Sequence, residues 1–475
     1  MKFIKNMVRS VMNEAMDEAL SRLIKDQYTE NMAAMVPVGR KVGFPNFMEI
    51  LMRSAQGTPV PRPLGSYIHF SPWESLLFNP VHLFRMPTPE QLGIGTSVTI
   101  GPLARKPLTI SIPIMIAAMS FGGALSKSAK LALAKAATAV GTATNSGEAG
   151  LMKEEREAAR LFIGQYNRGG WMNTPDKYKQ LDAIEIQLGQ GAQGSTSQRT
   201  SVKNIGEEYR EVFELKEGEP AIIHSRLPGV NTTDDFIQLV RRLRDETGVP
   251  VGLKIAATHH LEKELEVALE AGVDFLTLDG AEGGTHGGAP TLQDDVGLPT
   301  LFAITRASQF LARKRATGKV SLIATGGLVT PGSMLKAMAL GADAVYIGTA
   351  AILALIGEQV VKSAPFEAAT SLVVYTGKRT SELDVDMAAL SLQRYLNASV
   401  TEMELVAQSL GRTSLSELSK SDLCTMDADI ARTTGIQWGW AGPEERIQAG
   451  AESALFMPHP SQISEPESAE RYTTN

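Results

Sequence analysis

The chain has 475 residues, 43% of them hydrophobic and 21% charged, with a formal net charge of −6 at pH 7. Such a length exceeds what one hydrophobic core usually organises, and a barrel of roughly 200 to 250 residues would leave room for flanking segments. The composition is that of a globular protein rather than a disordered one, and the slight negative charge offers no electrostatic ground for binding nucleic acid.

In chain order, the first predicted element is an amphipathic helix, because Ile4, Val8, Val11, Ala15 and Leu20 recur at helical spacing. Its apolar side is expected to dock on the chain's own body or on a second copy in a homo-oligomer. Glu14, Asp17 and Glu18 interrupt the apolar run that a secretory signal would need. The longest apolar stretch, 108–119, is broken by Thr109, Ser111 and Pro113 and is too short for a bilayer, so no membrane span is predicted. Cys424 is the one cysteine, so no intrachain disulfide can form, and a reducing cytoplasm is the expected location.

Residues 1 to about 105 read as this helix plus an irregular arm, since Pro59, Pro61 and Pro63 precede an aromatic-rich stretch from Tyr67 to Phe84. From Leu108 onward, short apolar runs alternate with longer helical patterns, the signature of βαβ units. Strand candidates are 112–118, 141–144, 183–187, 221–224, 251–256, 275–279, 321–325 and 344–347, with helical periodicity over 127–140, 232–247, 261–271, 300–315 and 331–340. Eight strands predict an α/β fold, a (β/α)8 TIM barrel over 106–360, followed by a C-terminal helical extension over 361–443 and a polar tail over 444–475. An open Rossmann-type sheet is the structural alternative, weakened because no G-x-G-x-x-G follows the first strand. Two connections, 146–182 and 188–220, are too long for simple links, and long loops at the C-terminal face of a barrel usually hold substrates.

Candidate functional residues gather at the predicted strand ends. Glycine-bearing turns follow the last three strands: Asp279 and Gly280 through Gly283, Gly284 and Thr285, then Gly326 and Gly327, then Gly348 and Thr349. Glycine is common at such turns for steric reasons alone, but on a barrel the loops after the seventh and eighth strands present backbone N–H groups to a phosphate. Lys254, in an otherwise apolar run at the fifth strand, should project into the mouth, where a fixed ammonium suits an electron-rich flavin; the plain alternative is a lysine snorkelling from a strand end. Ala118, Met119 and Ser120 offer small side chains and backbone groups to a planar ring, and Asn145, Glu148 and Gln187 add polar groups at further strand ends. His259, His260 and His286 lie nearby, but adjacent histidines diverge and no carboxylate has ligand spacing, so no metal site is predicted and His286 is read as a ligand contact.

At these residues the sequence resembles the FMN-binding barrel of glutamate synthase and its stand-alone relatives. The resemblance covers roughly 113–354 and, more loosely, the stretch to Leu423. It is carried by Ala117-Ala118-Met119-Ser120, Thr144-Asn145-Ser146-Gly147-Glu148, Gln187 with Gly189-Gln190-Gly191-Ala192, Asp279-Gly280 with Glu282-Gly283-Gly284-Thr285, and the turns at 325–327 and 341–349. It implies FMN held by its phosphate at Gly284, Thr285, Gly326, Gly327, Gly348 and Thr349, with the ring near Ala118, Met119, Ser120, Asn145, Gln187 and Lys254. In that family the barrel reduces an iminoglutarate formed from 2-oxoglutarate and ammonia. Two departures stand out. Gln193 and then Gly194-Ser195-Thr196-Ser197 replace the family's frequent lysine and Pro-Gly stretch, which leaves 2-oxoglutarate recognition without its usual residues. The stretch 348–364 also lacks the cysteines that hold an iron–sulfur cluster, and no glutaminase domain is expected.

The resemblance implies an FMN-dependent oxidoreductase acting on a carbon–nitrogen bond of an amino or imino acid, with Lys254, Glu148 and Gln187 as candidate catalytic residues. Electrons would come from a nicotinamide or a partner subunit, and any ammonia from solution or a partner. The alternatives are a non-catalytic FMN-binding subunit of a larger complex and a non-redox enzyme like type 2 isopentenyl diphosphate isomerase. Inosine monophosphate dehydrogenase resembles the last two turns, but its chemistry needs a nucleophilic cysteine on a barrel loop, and Cys424 lies too far downstream.

Overall fold

The computed structural model describes residues 2–28, 33, 35–363 and 367–440. At its centre lie eight parallel strands: β1 (Ile114–Ile116), β2 (Thr144–Asn145), β3 (Phe162–Tyr166), β4 (Ala183–Gln187), β5 (Val251–Ala256), β6 (Phe275–Asp279), β7 (Ser321–Thr325) and β8 (Ala344–Ile347). They pair in the order β1-β8-β7-β6-β5-β4-β3-β2. The ring closes where the Ile116 N–H donates to the Ala143 carbonyl at 3.0 Å. The expected (β/α)8 barrel is the observed fold.

One predicted strand is wrong and one real strand was hidden. Ala221–Ile223 pairs antiparallel with Gln198–Thr200 in a separate two-stranded ribbon, outside the barrel. The true third strand, β3, lies inside the presumed loop 146–182. Its centre is a glycine, which weakens the strand pattern, yet that glycine is demanded by packing: a Cβ on Gly164 would come within 2.4 Å of Leu181. β1 and β2 are also shorter than the predicted 112–118 and 141–144.

Strand residues alternate between two environments, as the two-residue period requires. In β4, Ile184 and Ile186 pack outward against the helices, whereas Ala183 packs in the barrel interior with Met115, Ile163, Phe275, Ile323 and Tyr346. Each such fully buried large side chain contributes about 1.5–3 kcal/mol relative to exposure. A repeated device sets the base of the barrel. Asp182, Asp274 and Asp343 stand immediately before β4, β6 and β8, and each carboxylate accepts a backbone N–H from the preceding strand: Phe162, Val251 and Leu322, at 2.8, 3.0 and 2.7 Å. The hairpin Val98–Ile100 with Leu108–Ile110 adds Ile100, Leu108 and Ile110 to the interior cluster at this end.

The helices follow the expected periodicity: Lys127–Val140, Thr233–Thr247, Leu261–Ala271, Thr300–Arg313 and Pro331–Ala339. Ser126, Thr232 and Thr330 cap their helices through side-chain oxygens. In the C-terminal extension, the 25-residue helix Val385–Ser409 packs on Lys127–Val140, Pro331–Ala339 and Thr349–Ile356. The arm contributes Leu76–Phe78 to a small sheet with Leu423–Thr425 and Gln437–Trp438.

Residues up to Arg62 form a separate unit. It contains the expected helix, Lys2–Lys25, and two that were not expected, Met35–Val42 and Phe44–Gln56. Val11, Ala15 and Leu20 are exposed. Buried Glu49 pairs with Arg53 and Arg62, each at 3.1 Å. The predicted polar tail lies outside the described residues. No helix among the described residues is long and apolar enough to cross a membrane.

Candidate active site at the C-terminal mouth of the barrel

Above its apolar base, the barrel interior turns polar. Glu185, with no solvent exposure, accepts hydrogen bonds from Asn145 Nδ2 (3.1 Å), Gln165 Nε2 (2.8 Å) and Thr277 Oγ1 (2.7 Å). Asn145 Nδ2 also reaches the Tyr346 hydroxyl at 3.3 Å. Burial, reinforced by the nearby Glu185 charge, holds the Tyr346 hydroxyl well above its ordinary pKa, so it stays protonated and can donate.

The next level holds the expected ammonium. Parallel pairing sets Lys254 beside Gln187 on one side and Thr277 on the other. Lys254 is buried, with Nζ 3.7 Å from Asp279 Oδ2. Burial raises the Asp279 pKa, and the Lys254 charge opposes that shift. Gln187 Nε2 donates to Gln190 Oε1 at 3.0 Å, but Gln187 Oε1 and Asp279 Oδ1 are buried acceptors without a hydrogen-bond partner. Orphaned buried acceptors are costly unless a ligand donor meets them.

The three glycine turns converge. Added at Gly326 (φ +110°), a Cβ would lie 3.0 Å from Gly280 N and 3.2 Å from Gly283 N; at Gly284, it would lie 3.5 Å from Thr349 Oγ1. Thr349 begins a helix capped by Gly348. Among the described residues, the N–H groups of Gly284, Thr285, Gly326, Gly327, Gly348 and Thr349 make no hydrogen bond to the protein. Free N–H groups at a helix start and adjoining glycine turns form the arrangement that binds an anion. Leu64 N–H donates to the Thr285 carbonyl at 2.8 Å, tying the arm to this turn.

On the opposite side, Ala118, Met119 and Ser120 follow β1, and Gly147 and Glu148 follow β2. Asn145 Oδ1 accepts the Gly147 N–H at 3.0 Å, so Asn145 shapes its own loop as well as the interior. Both Glu148 oxygens are held by Arg168, at 3.0 Å each, and Arg168 Nη1 donates to the Thr196 carbonyl at 3.2 Å. Both side chains are buried. This bidentate pair fixes Glu148 as an acceptor and ties together the loops after β2, β3 and β4. Gln193, in the loop that departs from the family pattern, is buried and donates through Nε2 to Thr285 Oγ1, so it braces the glycine turn after β6.

His286, His259 and His260 are exposed, with the last two rings 5.8 Å apart. Among the described residues, no group of three histidine, cysteine or acidic side chains is arranged for a metal ion.

Sequence reading missed Glu185, although it shares the inward face with Gln187 two residues on, and that spacing could have found it. It also missed Arg168, which follows the hidden strand β3, and Lys130. Lys130 Nζ, without solvent exposure, donates to the Met119 and Asn145 carbonyls at 2.6 and 2.8 Å and pairs with buried Glu155 at 2.8 Å. Burial raises the Glu155 pKa, and the Lys130 charge opposes that shift.

Comparison with known proteins places the sequence in a family. Residues 90–413 match the family model described as the conserved region in glutamate synthase. A glutamate synthase large subunit-like protein of Rhizobium meliloti is 32% identical over 355 residues, covering 71% of this chain and 80% of the relative. An archaeal-type glutamate synthase [NADPH] of Thermotoga maritima is 36% identical over 250 residues, 52% of this chain and 49% of the relative, so the match spans about half of that protein. The flavin-binding domain of baker's yeast flavocytochrome b2 is similar with a TM-score of 0.47 and 15% identity, covering 85% of this chain and 84% of that one, a likeness too distant to carry a functional argument. With its barrel, its glycine turns and these matches together, the chain belongs to the family defined by the conserved region of glutamate synthase.

Proposed function

We propose that the barrel binds FMN and acts as an FMN-dependent oxidoreductase on the carbon–nitrogen bond of an amino or imino acid. The observation that carries the reading is the convergence of free backbone N–H groups at Gly284, Thr285, Gly326, Gly327, Gly348 and Thr349 on one side of the mouth, with the Lys254 ammonium inside it. The residues present fit the cofactor. Its phosphate would take the N–H groups, while its ring edge, which carries both donors and acceptors, would meet the orphaned Gln187 Oε1 and the Lys254 ammonium.

Bound FMN supplies reversible hydride transfer. The protein's part is to bind, orient and set charge. Lys254 would stabilise the negative charge that builds up on the side of the ring it faces, and its burial makes that effect larger than in water. Asp279 keeps the ammonium positioned without a direct hydrogen bond, at 3.7 Å. Glu148, its charge paired with Arg168 and its carboxylate fixed in place, would offer its remaining lone pairs as acceptors to a substrate amine or imine. Because Gln193 is engaged with Thr285, the acid's identity is left to other groups at the mouth.

The name of the archaeal-type relatives supports testing NADPH as electron donor. A partner subunit supplying electrons or ammonia is part of the same proposal. The test is direct: titrate the protein with FMN, reduce it anaerobically with NADPH or NADH, then mix it with ammonium and a panel of 2-oxo acids including 2-oxoglutarate. Reoxidation by a 2-oxo acid only when ammonium is present supports the reading. A colourless protein that takes up no FMN refutes it, and a flavoprotein reoxidised by no 2-oxo acid refutes the carbon–nitrogen chemistry.

A further inference from the structure

Lys130 lies on the helix Lys127–Val140, outside the barrel wall, yet it is among the largest side chains without solvent exposure. Removing an ammonium from water costs several kcal/mol, and an apolar residue of similar volume would fill the same space without that cost. Three oxygens surround Nζ: the carbonyls of Met119 and Asn145, and Glu155 Oε1. The Met119 carbonyl belongs to the loop after β1 and the Asn145 carbonyl to the last residue of β2, two strands with no ladder pairing beyond the single closing bond from Ile116 to Ala143.

We propose that Lys130 is a positioning residue that aims the Ser120 N–H into the mouth, as a hydrogen-bond donor to the flavin ring; the inference rests on the FMN reading above. In a trans peptide the C=O and the following N–H point in opposite directions. Lys130 pulls the Met119 carbonyl outward to its helix, so the Ser120 N–H turns toward the barrel axis. Among the described residues, that N–H makes no hydrogen bond to the protein, whereas the Ser120 carbonyl is occupied by the N–H groups of Ala124 and Leu125 at 3.0 and 2.9 Å. Gly147 packs against the same peptide: a Cβ there would come within 2.4 Å of Ser120 N and 2.7 Å of the Met119 carbonyl carbon. The peptide is thus held on one side by an ammonium and on another by a residue without a side chain.

The test uses Lys130→Met combined with Glu155→Met, which removes both buried charges and strands neither. The variant is expected to keep the wild-type circular dichroism and to bind FMN about tenfold more weakly, the loss of roughly one hydrogen bond, with a shifted absorption spectrum of the bound flavin. A folded double variant with unchanged FMN affinity and spectrum overturns the proposal. Amide exchange in the wild-type protein supplies a readout that does not depend on the variant folding: FMN should slow exchange at Ser120 at least about tenfold, and exchange unaffected by FMN overturns the proposal as well. If the wild-type protein takes up no FMN, the underlying reading falls, a result seen before any variant is made.

Discussion

Gly147 packs so closely on Ser120 that a Cβ at position 147 would lie 2.4 Å from the Ser120 backbone nitrogen. The contact joins the loops after β1 and β2, and the positive φ of +65° at Gly147 adds a second reason for glycine there. Gly147→Ala is expected to cost at least about 2 kcal/mol of stability, from left-handed backbone strain plus a clash with backbone that cannot move aside. Urea denaturation of the apoprotein measures it, and a loss under about 0.5 kcal/mol would mean that the two loops separate easily.

Lys254→Met keeps the length of the side chain and removes its charge. Asp279 is already pushed toward its neutral form by burial and can take a proton when its partner is lost. FMN should remain bound through its phosphate, while its two-electron midpoint potential falls by roughly 30–60 mV, the equivalent of a charge-assisted hydrogen bond of about 1.5–3 kcal/mol. Spectroelectrochemistry reads the shift, and an unchanged potential removes the role assigned to Lys254.

Arg168→Met leaves the Glu148 carboxylate buried with its paired cation gone and is expected to destabilise the protein by about 3–5 kcal/mol. Adding Glu148→Met should recover a large part of that loss. The double-mutant cycle, followed by chemical denaturation, separates a coupled pair from two independent residues; additive losses would contradict the coupling.

Asp343 gives a pH prediction. Its carboxylate accepts the Leu322 N–H at the base of β7, and burial raises its pKa in the folded protein. A carboxyl whose folded pKa lies above its unfolded value binds its proton more tightly when folded. Its contribution is therefore most favourable below the unfolded pKa, about 3.9, and is lost as pH rises through the higher folded value. Asp343→Asn keeps an oxygen acceptor without the charge, so its stability relative to wild type should improve between pH 4 and pH 7. Denaturation midpoints at the two pH values check the sign, and a relative loss at pH 7 would reverse it.

Much of the barrel was legible because burial imposes periodicity. The runs that became β4 through β8 and the helices between them were readable from spacing alone, and so was the inward placement of Lys254 and Gln187. β3 escaped because Gly164 and Gln165 interrupt its apolar pattern, although each has a tertiary reason: Leu181 fills the space a side chain would take, and Gln165 donates to Glu185. Ala221–Ile223 misled for the converse reason. A short β-branched run pairs with whatever edge it meets, and here that edge was Gln198–Thr200.

The candidate site divides in the same way. The glycine turns could be read in the sequence because glycine marks backbone that must approach closely, and turns after successive parallel strands open on the same face. Periodicity along the chain thus determined the barrel, the end of it that carries the glycine turns, and the inward lysine. Only the folded structure decided that Arg168 locks Glu148, that Gln193 turns to Thr285, and that Lys130 reaches the Met119 and Asn145 carbonyls. Those contacts join residues from different loops, and their partners are chosen by distances across the barrel mouth that no local sequence pattern encodes.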